Sequence, residues 1–345
     1  MAMKKNTVHI PMPIRYLINA AAIAAIYLII SALSSAGVIT NYYTKILILI
    51  CINIILAVSL NLVTGYLGQL PLGHAGFMAV GAYASGIFMR AVSGSMPTGL
   101  AVFLSLILAA IVAGIFGFII GIPALRLKGD YLAIITLGFG EIIRVVLLNI
   151  DSVLGFNFTY GAASLKNIPK TTTFTLAFIC VVVVCFLIHT MMKSRYGRAI
   201  LSIRENEIAS ESCGIRTTYF KTMAFVVSAA FAGVAGSLYA GYLGILNPAN
   251  FGFMKSIEIL VMVVLGGMGS MIGSVVSAAV LSALPEVLRA FADYRMVAYS
   301  LLLILVMIFK PSGLMGTYDF SFTNLIGRLI GRISGKRTAR KESAE

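Results

Sequence analysis

The sequence predicts an all-α polytopic membrane protein of about ten transmembrane helices, packed through glycines, with both termini in the cytoplasm. Three observations predict it. Of 345 residues, 59% are hydrophobic and only 11% charged, and mean hydropathy is +0.98. A water-soluble domain averages about 25% charged residues, so lipid must solvate most of this chain. Apolar runs recur at lengths near the roughly 20 residues that cross a hydrocarbon core about 30 Å thick. The 26 Lys and Arg residues gather between those runs, which is the bias that orients spans. The formal charge of +14 is thereby explained by topology and needs no nucleic acid partner.

The ten runs are Tyr16–Ser35, Lys45–Thr64, Gly73–Arg90, Thr98–Leu125, Tyr131–Ile150, Thr173–Met192, Thr222–Gly244, Ser256–Gly267, Met271–Leu288 and Val297–Phe309. Lys4, Lys5 and Arg15 precede the first. Its apolar part exceeds the 7–15 residues usual in a secretory signal, so a retained helix is expected. The eighth run is too short to span alone. It reads as a broken or re-entrant helix, or as one that recruits flanking residues. Ten spans place both ends on one side. With the N-terminus inside, inner segments carry 18 basic residues and outer segments 7, with Arg144 inside a span. The resulting organisation is a cytoplasmic segment over 1–15, a transmembrane domain over 16–316 with a cytoplasmic loop at 193–221, and a basic cytoplasmic tail over 317–345.

Thirty-three glycines need a reason in a helical protein. In lipid, small residues let helix backbones approach closely. The seventh run carries two such ridges, Ala229, Gly233, Ser237, Gly241 and Ala232, Gly236, Ala240, Gly244. They serve helix packing or line a path; spacing alone leaves both open. A seven-residue pattern LGxxGxM occurs at 72–78 and again at 265–271, a hint of internal duplication. Cys51, Cys180, Cys185 and Cys213 form no CxxC pair and read as small buried hydrophobes. Neither a metal-ligand spacing nor a GxxxxGK[ST] phosphate loop occurs, so no catalytic residue, metal or cofactor is expected on this chain.

Two charges sit in the wrong solvent. Glu141 and Arg144 lie in the fifth run, with Glu141 roughly 15 Å from the run's start at 1.5 Å per residue. One such charge at the bilayer centre costs about 2.5–3.5 kcal/mol. Their i, i+3 spacing allows mutual pairing, as a structural ion pair or as a lining or gate of a path. Glu258, three residues from Lys255, poses the same alternatives. His74 reads as a hydrogen-bonded structural histidine in a Gly-rich turn.

The longest inner loop, 193–215, is the one soluble-looking stretch with a helical pattern. Ala199, Ile203, Ile208, Ala209 and Cys213 stand among charges, and Gly214 suits a helix C-cap. One short amphipathic helix from Arg198 to Gly214 is expected, docking in a groove of another protein or lying on the membrane surface.

Gly197-Arg198-Ala199, Ile203-Arg204-Glu205-Asn206-Glu207-Ile208-Ala209 and Gly214-Ile215 resemble the cytoplasmic loop of the bacterial branched-chain amino acid ABC transporter permeases of the LivM type. Further matches are Gly65-Tyr66-Leu67-Gly68-Gln69 with Leu72-Gly73-His74-Ala75, Leu127-Lys128-Gly129-Asp130-Tyr131, Thr136-Leu137-Gly138-Phe139-Gly140-Glu141-Ile142-Ile143-Arg144, Leu265-Gly266-Gly267-Met268-Gly269-Ser270 and Lys310-Pro311-Ser312-Gly313-Leu314-Met315-Gly316. Two departures are visible. A TGGxxGL-like outer loop appears as Thr159-Tyr160-Gly161-Ala162-Ala163-Ser164-Leu165, and the EAAxxxG loop of the commonest importers is absent in strict form. The resemblance implies a multi-pass permease of the bacterial inner membrane, part of an ABC importer for branched-chain amino acids. Implied partners are a second related permease, two cytoplasmic ATPase subunits that use the ATP, and an external binding protein that selects the substrate. It implies coupling to the ATPases through Arg198, Ile203, Arg204, Glu205, Asn206, Glu207, Ala209 and Gly214. Candidate path or gate residues are Gln69, His74, Glu141, Arg144 and Glu258. The alternatives are a proton- or ion-coupled transporter with Glu141 as carrier, or a passive channel.

Overall fold

Helix-breaking residues and small-residue contacts together set the architecture of the computed structural model, which describes residues 12–35, 40–127, 129–154, 159–161 and 164–288, and single positions from 294 to 313. Nine of the ten apolar runs coincide with helices: α1 (Met12–Ser35), α2 (Asn41–Asn61), α3 (His74–Val92), α4 (Thr98–Ala124), α5 (Asp130–Leu154), α6 (Phe174–Lys193), α9 (Thr217–Leu243), α10 (Phe253–Gly266) and α11 (Met271–Val287). Between α6 and α9 lie α7 (Arg195–Glu205) and α8 (Glu207–Ser212). Of the tenth run, Val297–Phe309, only scattered positions are described, and the tail beyond 313 lies outside the described residues. Among the described residues, seven helical segments are long and apolar enough to cross a membrane; the apolar stretches Ala20–Leu33 of α1 and Met271–Val287 are shorter. The chain divides into two units, residues 1–44 with 318–345, and residues 45–317. Of the first unit the structure describes α1 and residues 40–44. The second holds α3 to α11 and most of α2.

Alpha-3, α4 and α9 form the packed centre of the second unit. Between apolar helices in lipid there is no hydrophobic drive, so close backbone approach supplies the attraction. A Cβ on Gly236 would lie 2.1 Å from the Met78 carbonyl oxygen, and one on Gly81 would lie 2.3 Å from the Gly233 Cα. On the other side, a Cβ on Gly233 would reach the Ala109 carbonyl at 2.5 Å, and one on Gly117 the Ala229 Cβ at 2.5 Å. The two small ridges of the seventh run are therefore used for packing against α3 and α4. Phe77 and Phe225 meet edge to face at 5.4 Å between centroids beneath them. The outward faces of α4, α5 and α6 expose large aliphatic and aromatic side chains such as Phe103, Ile119 and Ile179, as lipid requires.

The regular helices are interrupted at three places. Alpha-2 ends in a π-helical turn, Leu62–Tyr66, followed by an irregular segment to Gly73. The eighth run is resolved into a 3-10 turn, Pro248–Phe251, and then α10, only 14 residues and about 21 Å long. It is thus a broken helix that recruits its N-terminal flank to a 19-residue segment. Alpha-10 turns through Gly267-Met268-Gly269-Ser270 into α11. Gly266 and Gly273 cross so closely that a Cβ on Gly266 would lie 2.5 Å from the Gly273 carbonyl, and Ser277 donates to the Met262 carbonyl oxygen.

The repeated LGxxGxM pattern does not mark equivalent places. Leu72–Met78 opens α3, with Gly73 as N-cap, and Gly76 is helical. Leu265–Met271 instead closes α10, and Gly269, which corresponds to Gly76, takes φ +87°.

Contacts sort the connections into two sets. The Arg204 side chain, at the end of α7, reaches the Gly65 carbonyl after α2, and Gly65 in turn lies against Gly269 between α10 and α11. At the opposite end, Leu165 pairs with Leu246 as an antiparallel bridge, and the Arg90 guanidinium donates to the Tyr160 hydroxyl at 2.8 Å.

The close crossings predict a graded response to bulk. Gly236→Val should force α3 from α9 and destabilise the extracted protein by about 1–3 kcal/mol, the usual cost of overpacking, seen as a lower melting temperature. Gly114→Ala, where the nearest atom is 3.7 Å away, should leave melting unchanged or raise it. Equal sensitivity at both positions would contradict the packing described.

Candidate functional site

Two clusters of sequence-predicted residues assemble, and they are separate. The first is an ionic cleft between α5 and the start of α10. Arg144 donates from Nε to Glu141 Oε2 at 2.6 Å, so the i, i+3 pair forms as its spacing allows. Glu141 Oε1 accepts the Phe253 backbone N–H at 3.0 Å. That N–H belongs to the first turn of α10 and has no intrahelical acceptor, so Glu141 satisfies a donor that the broken helix leaves over. Both Glu141 oxygens are thus occupied. Close by, Lys255 Nζ donates to Glu258 Oε2 at 2.9 Å and approaches Asn53 Oδ1 of α2 at 3.5 Å. Asn53 is held by Ser282 of α11 at 2.8 Å. Glu141, Arg144, Lys255 and Glu258 line one cleft of about 440 Å³ together with Gly252 and Phe253.

Gln69 and His74 do not join that cleft. Gln69 lies half-buried in the irregular segment, its backbone N–H donating to the Val63 carbonyl at 3.0 Å. His74 is 2% exposed and its Nε2 lies 2.9 Å from Ser59 Oγ, tying the start of α3 to α2. The same first turn of α3 is satisfied from two other helices. Leu72 N–H donates to Thr136 Oγ1 of α5 at 3.0 Å, and Ala75 N–H to Ser256 Oγ of α10 at 3.1 Å. The matched motifs Leu72–Gly76 and Thr136–Gly140 meet here, where a Cβ on Gly73 would lie 2.1 Å from the Thr136 carbonyl oxygen.

The second cluster is the 193–221 loop. Its structure corrects the single helix expected from Arg198 to Gly214. The helix breaks at Asn206, whose backbone is extended (φ −157°, ψ 110°) and whose side chain caps α8 by accepting from Ala209 N–H at 3.0 Å. An Asn side chain competes for backbone donors in this way, and here it starts a new helix. The break also turns the apolar face. Gly197, Ile200 and Ile203 point inward from α7, whereas Ile208 is 74% exposed and Ala209 and Cys213 are exposed. The expected continuous stripe therefore does not exist. Gly214 does end α8, at φ +82°, with Gly214 N–H to Glu211 O and Ile215 N–H to Ser210 O, a Schellman arrangement.

Two loop residues among those implied in coupling also hold the loop to the body. Arg204 Nη1 donates to the Gly65 carbonyl at 2.7 Å. Glu207 accepts from Lys221 Nζ at 2.6 Å, and Lys221 is 3% exposed. Arg198, Glu205 and Asn206 remain exposed. Sequence reading missed Asn61, Lys221 and Asn53. Asn61 is wholly buried; its Oδ1 accepts from Gly269 N–H at 2.9 Å and its Nδ2 donates to Ser270 O at 3.2 Å. The detectable signal was an amide in an otherwise apolar run.

The buried pair predicts strong coupling. Lys221→Met should destabilise the protein more than the double change with Glu207→Gln, because the single change removes the cation that compensates a carboxylate. A double-mutant cycle on melting should give an interaction of about 1 kcal/mol or more. Additive effects would show that the pair contributes nothing.

Residues 42–310 match the family described as branched-chain amino acid transport system / permease component. The chain is 38% identical over 298 residues to the high-affinity branched-chain amino acid transport system permease protein LivM of Salmonella typhimurium, covering 76% of this chain and 68% of that one. It is 37% identical to LivM of Escherichia coli over the same coverage. The permease protein BraD of Pseudomonas aeruginosa is 29% identical over 280 residues, covering 76% of this chain and 91% of that protein. No solved structure matches. By this match and these relatives, and with seven apolar helical segments long enough to cross a membrane among the described residues, the chain belongs to the branched-chain amino acid permease family of multi-pass membrane proteins.

Proposed function

We propose that this chain is a LivM-type permease subunit of an ABC importer in the bacterial inner membrane, forming part of the path for branched-chain amino acids. The observation that carries this reading is the family match over 42–310, which includes both the ionic cleft and the α7–α8 loop. In this reading a second, related permease completes the path, in line with LivM and LivH both being relatives of this chain. Two cytoplasmic ATPase subunits supply the energy, and an external binding protein supplies the substrate. This chain binds no nucleotide itself.

The proposed orientation has ten spans and both termini inside. The charge bias supports it, and so does the grouping of contacts: the 62–73, 193–221 and 266–270 segments meet at one end, and the 160–168 and 244–246 segments at the other. The inner end would then receive the ATPases through exposed residues of α7 and α8, chiefly Arg198, Leu201, Glu205 and Ile208. An isoleucine 74% exposed on a charged loop suits a groove on a partner. Arg204 and Glu207 would pass the displacement inward, since each is bonded to the permease body.

Two measurements test this. Reconstituted with its partner subunits, the complex should take up leucine only with ATP and binding protein present. Ile208→Asp should lower uptake and stimulated ATPase activity together, with melting unchanged; full activity in Ile208→Asp would remove α8 from the interface. For orientation, Ser164→Cys and Ser334→Cys in a cysteine-free chain should differ. An impermeant outside reagent should modify the first only, and equal labelling would contradict ten spans.

A further inference from the structure

The ionic cleft presents charge that the fold does not use. Within the α5–α10 cluster, two members have their polar atoms taken up by neighbours. Glu141 is held by Arg144 and the Phe253 N–H, and Lys255 by Glu258 and Asn53. Arg144 and Glu258 retain free capacity. Arg144 uses only Nε; its two terminal nitrogens have no hydrogen-bond partner among the described residues. Glu258 uses only Oε2; its other oxygen has none among the described residues. Side-chain exposure is 29% for Arg144 and 41% for Glu258. Open charge on spanning segments is too costly to face lipid, so this face must meet water or protein.

From this arrangement we propose that the cleft lines the substrate path and takes the two charged ends of a zwitterionic α-amino acid, the carboxylate on Arg144 and the ammonium on Glu258. The proposal rests on the permease reading above and names the residues that would meet the substrate. A free guanidinium end matches a carboxylate in two parallel hydrogen bonds. Two acids and two bases leave the cleft neutral, so a guest that brings both charges enters without leaving one unbalanced, whereas a singly charged guest does not. The apolar edges of Phe253 and Met254, 40% and 78% exposed, are placed to meet an aliphatic side chain. Glu141 and Lys255, each bonded to its i, i+3 partner, act as positioning residues for Arg144 and Glu258.

The test uses the complete transporter in nanodiscs, with the four native cysteines replaced by alanine and Met254→Cys introduced. A polar, impermeant thiol reagent should modify Met254→Cys. Millimolar leucine should slow that reaction severalfold, while isoamylamine and 4-methylpentanoate, which each carry one of the two charges, should not. Absence of reaction with the polar reagent would overturn the proposal, as would equal slowing by all three compounds or by none. In parallel, the exchange Lys255→Glu with Glu258→Lys retains an ion pair but reverses its ends. Leucine uptake should fall about tenfold or more, the weight of one hydrogen bond to a charged group, with the complex still assembled on size exclusion. Uptake at the unaltered level in that exchange would show that the pair serves only the fold. If the unaltered complex takes up no leucine with ATP, the permease reading itself fails; an active complex that fails the labelling test contradicts the cleft alone.

Discussion

A helix broken inside lipid frees backbone donors and acceptors that no water can satisfy. Among the described residues this chain breaks its helices at three places, and several polar residues in the spans answer those breaks. The π-turn and irregular segment after α2 leave Gly65 O to Arg204 and the start of α3 to Thr136 and Ser256. The turn between α10 and α11 is held by Asn61, which supplies one acceptor and one donor to successive residues. The gap before α10 places its first free N–H against Glu141. Each bond links segments far apart in sequence, so the irregular regions form a connected set within a frame of close-packed helices.

That connection has a functional consequence. Alpha-3, α4 and α9 are locked by close crossings at Gly81, Gly117, Gly233 and Gly236 that leave no room for a Cβ, whereas the irregular segments are held by side-chain hydrogen bonds, which are individually weaker and exchangeable. A displacement of the 193–221 loop acts on Gly65 through Arg204 and on α9 through the Glu207–Lys221 pair. Gly65 abuts the 266–270 turn, and that turn ends α10, whose other end borders the ionic cleft. The physical route from the loop to the cleft thus passes through the irregular segments and then along α10. Thr64, in the π-turn, adds to this picture: its buried hydroxyl has no hydrogen-bond partner among the described residues, which marks the turn as imperfectly satisfied.

The apolar runs and the Glu141–Arg144 spacing made helices and the ion pair legible in the sequence, because helical periodicity and the cost of charge in lipid are local rules. The Gly ridges of α9 were visible too, but their partners on α3 and α4 were not, since pairing depends on tertiary placement. The break at Asn206 escaped a reading in which an apolar stripe was carried through it. Asn is tolerated within helices, and only the cap it makes to Ala209 shows that a second helix starts. Arg204 and Glu207 looked like surface charges for the same reason: their partners, Gly65 and Lys221, lie 139 and 14 residues away. The LGxxGxM echo shows the converse, a shared pattern with different backbone conformations.

The central claim is that the irregular segments are one hydrogen-bonded unit. Hydrogen exchange of the protein in nanodiscs, comparing the unaltered chain with Asn61→Leu, tests it most directly. The account predicts faster exchange at 266–270 and, together with it, over 62–73, with α4 and α6 unchanged. Faster exchange confined to Gly269 and Ser270, or a uniform increase across all helices, would contradict it.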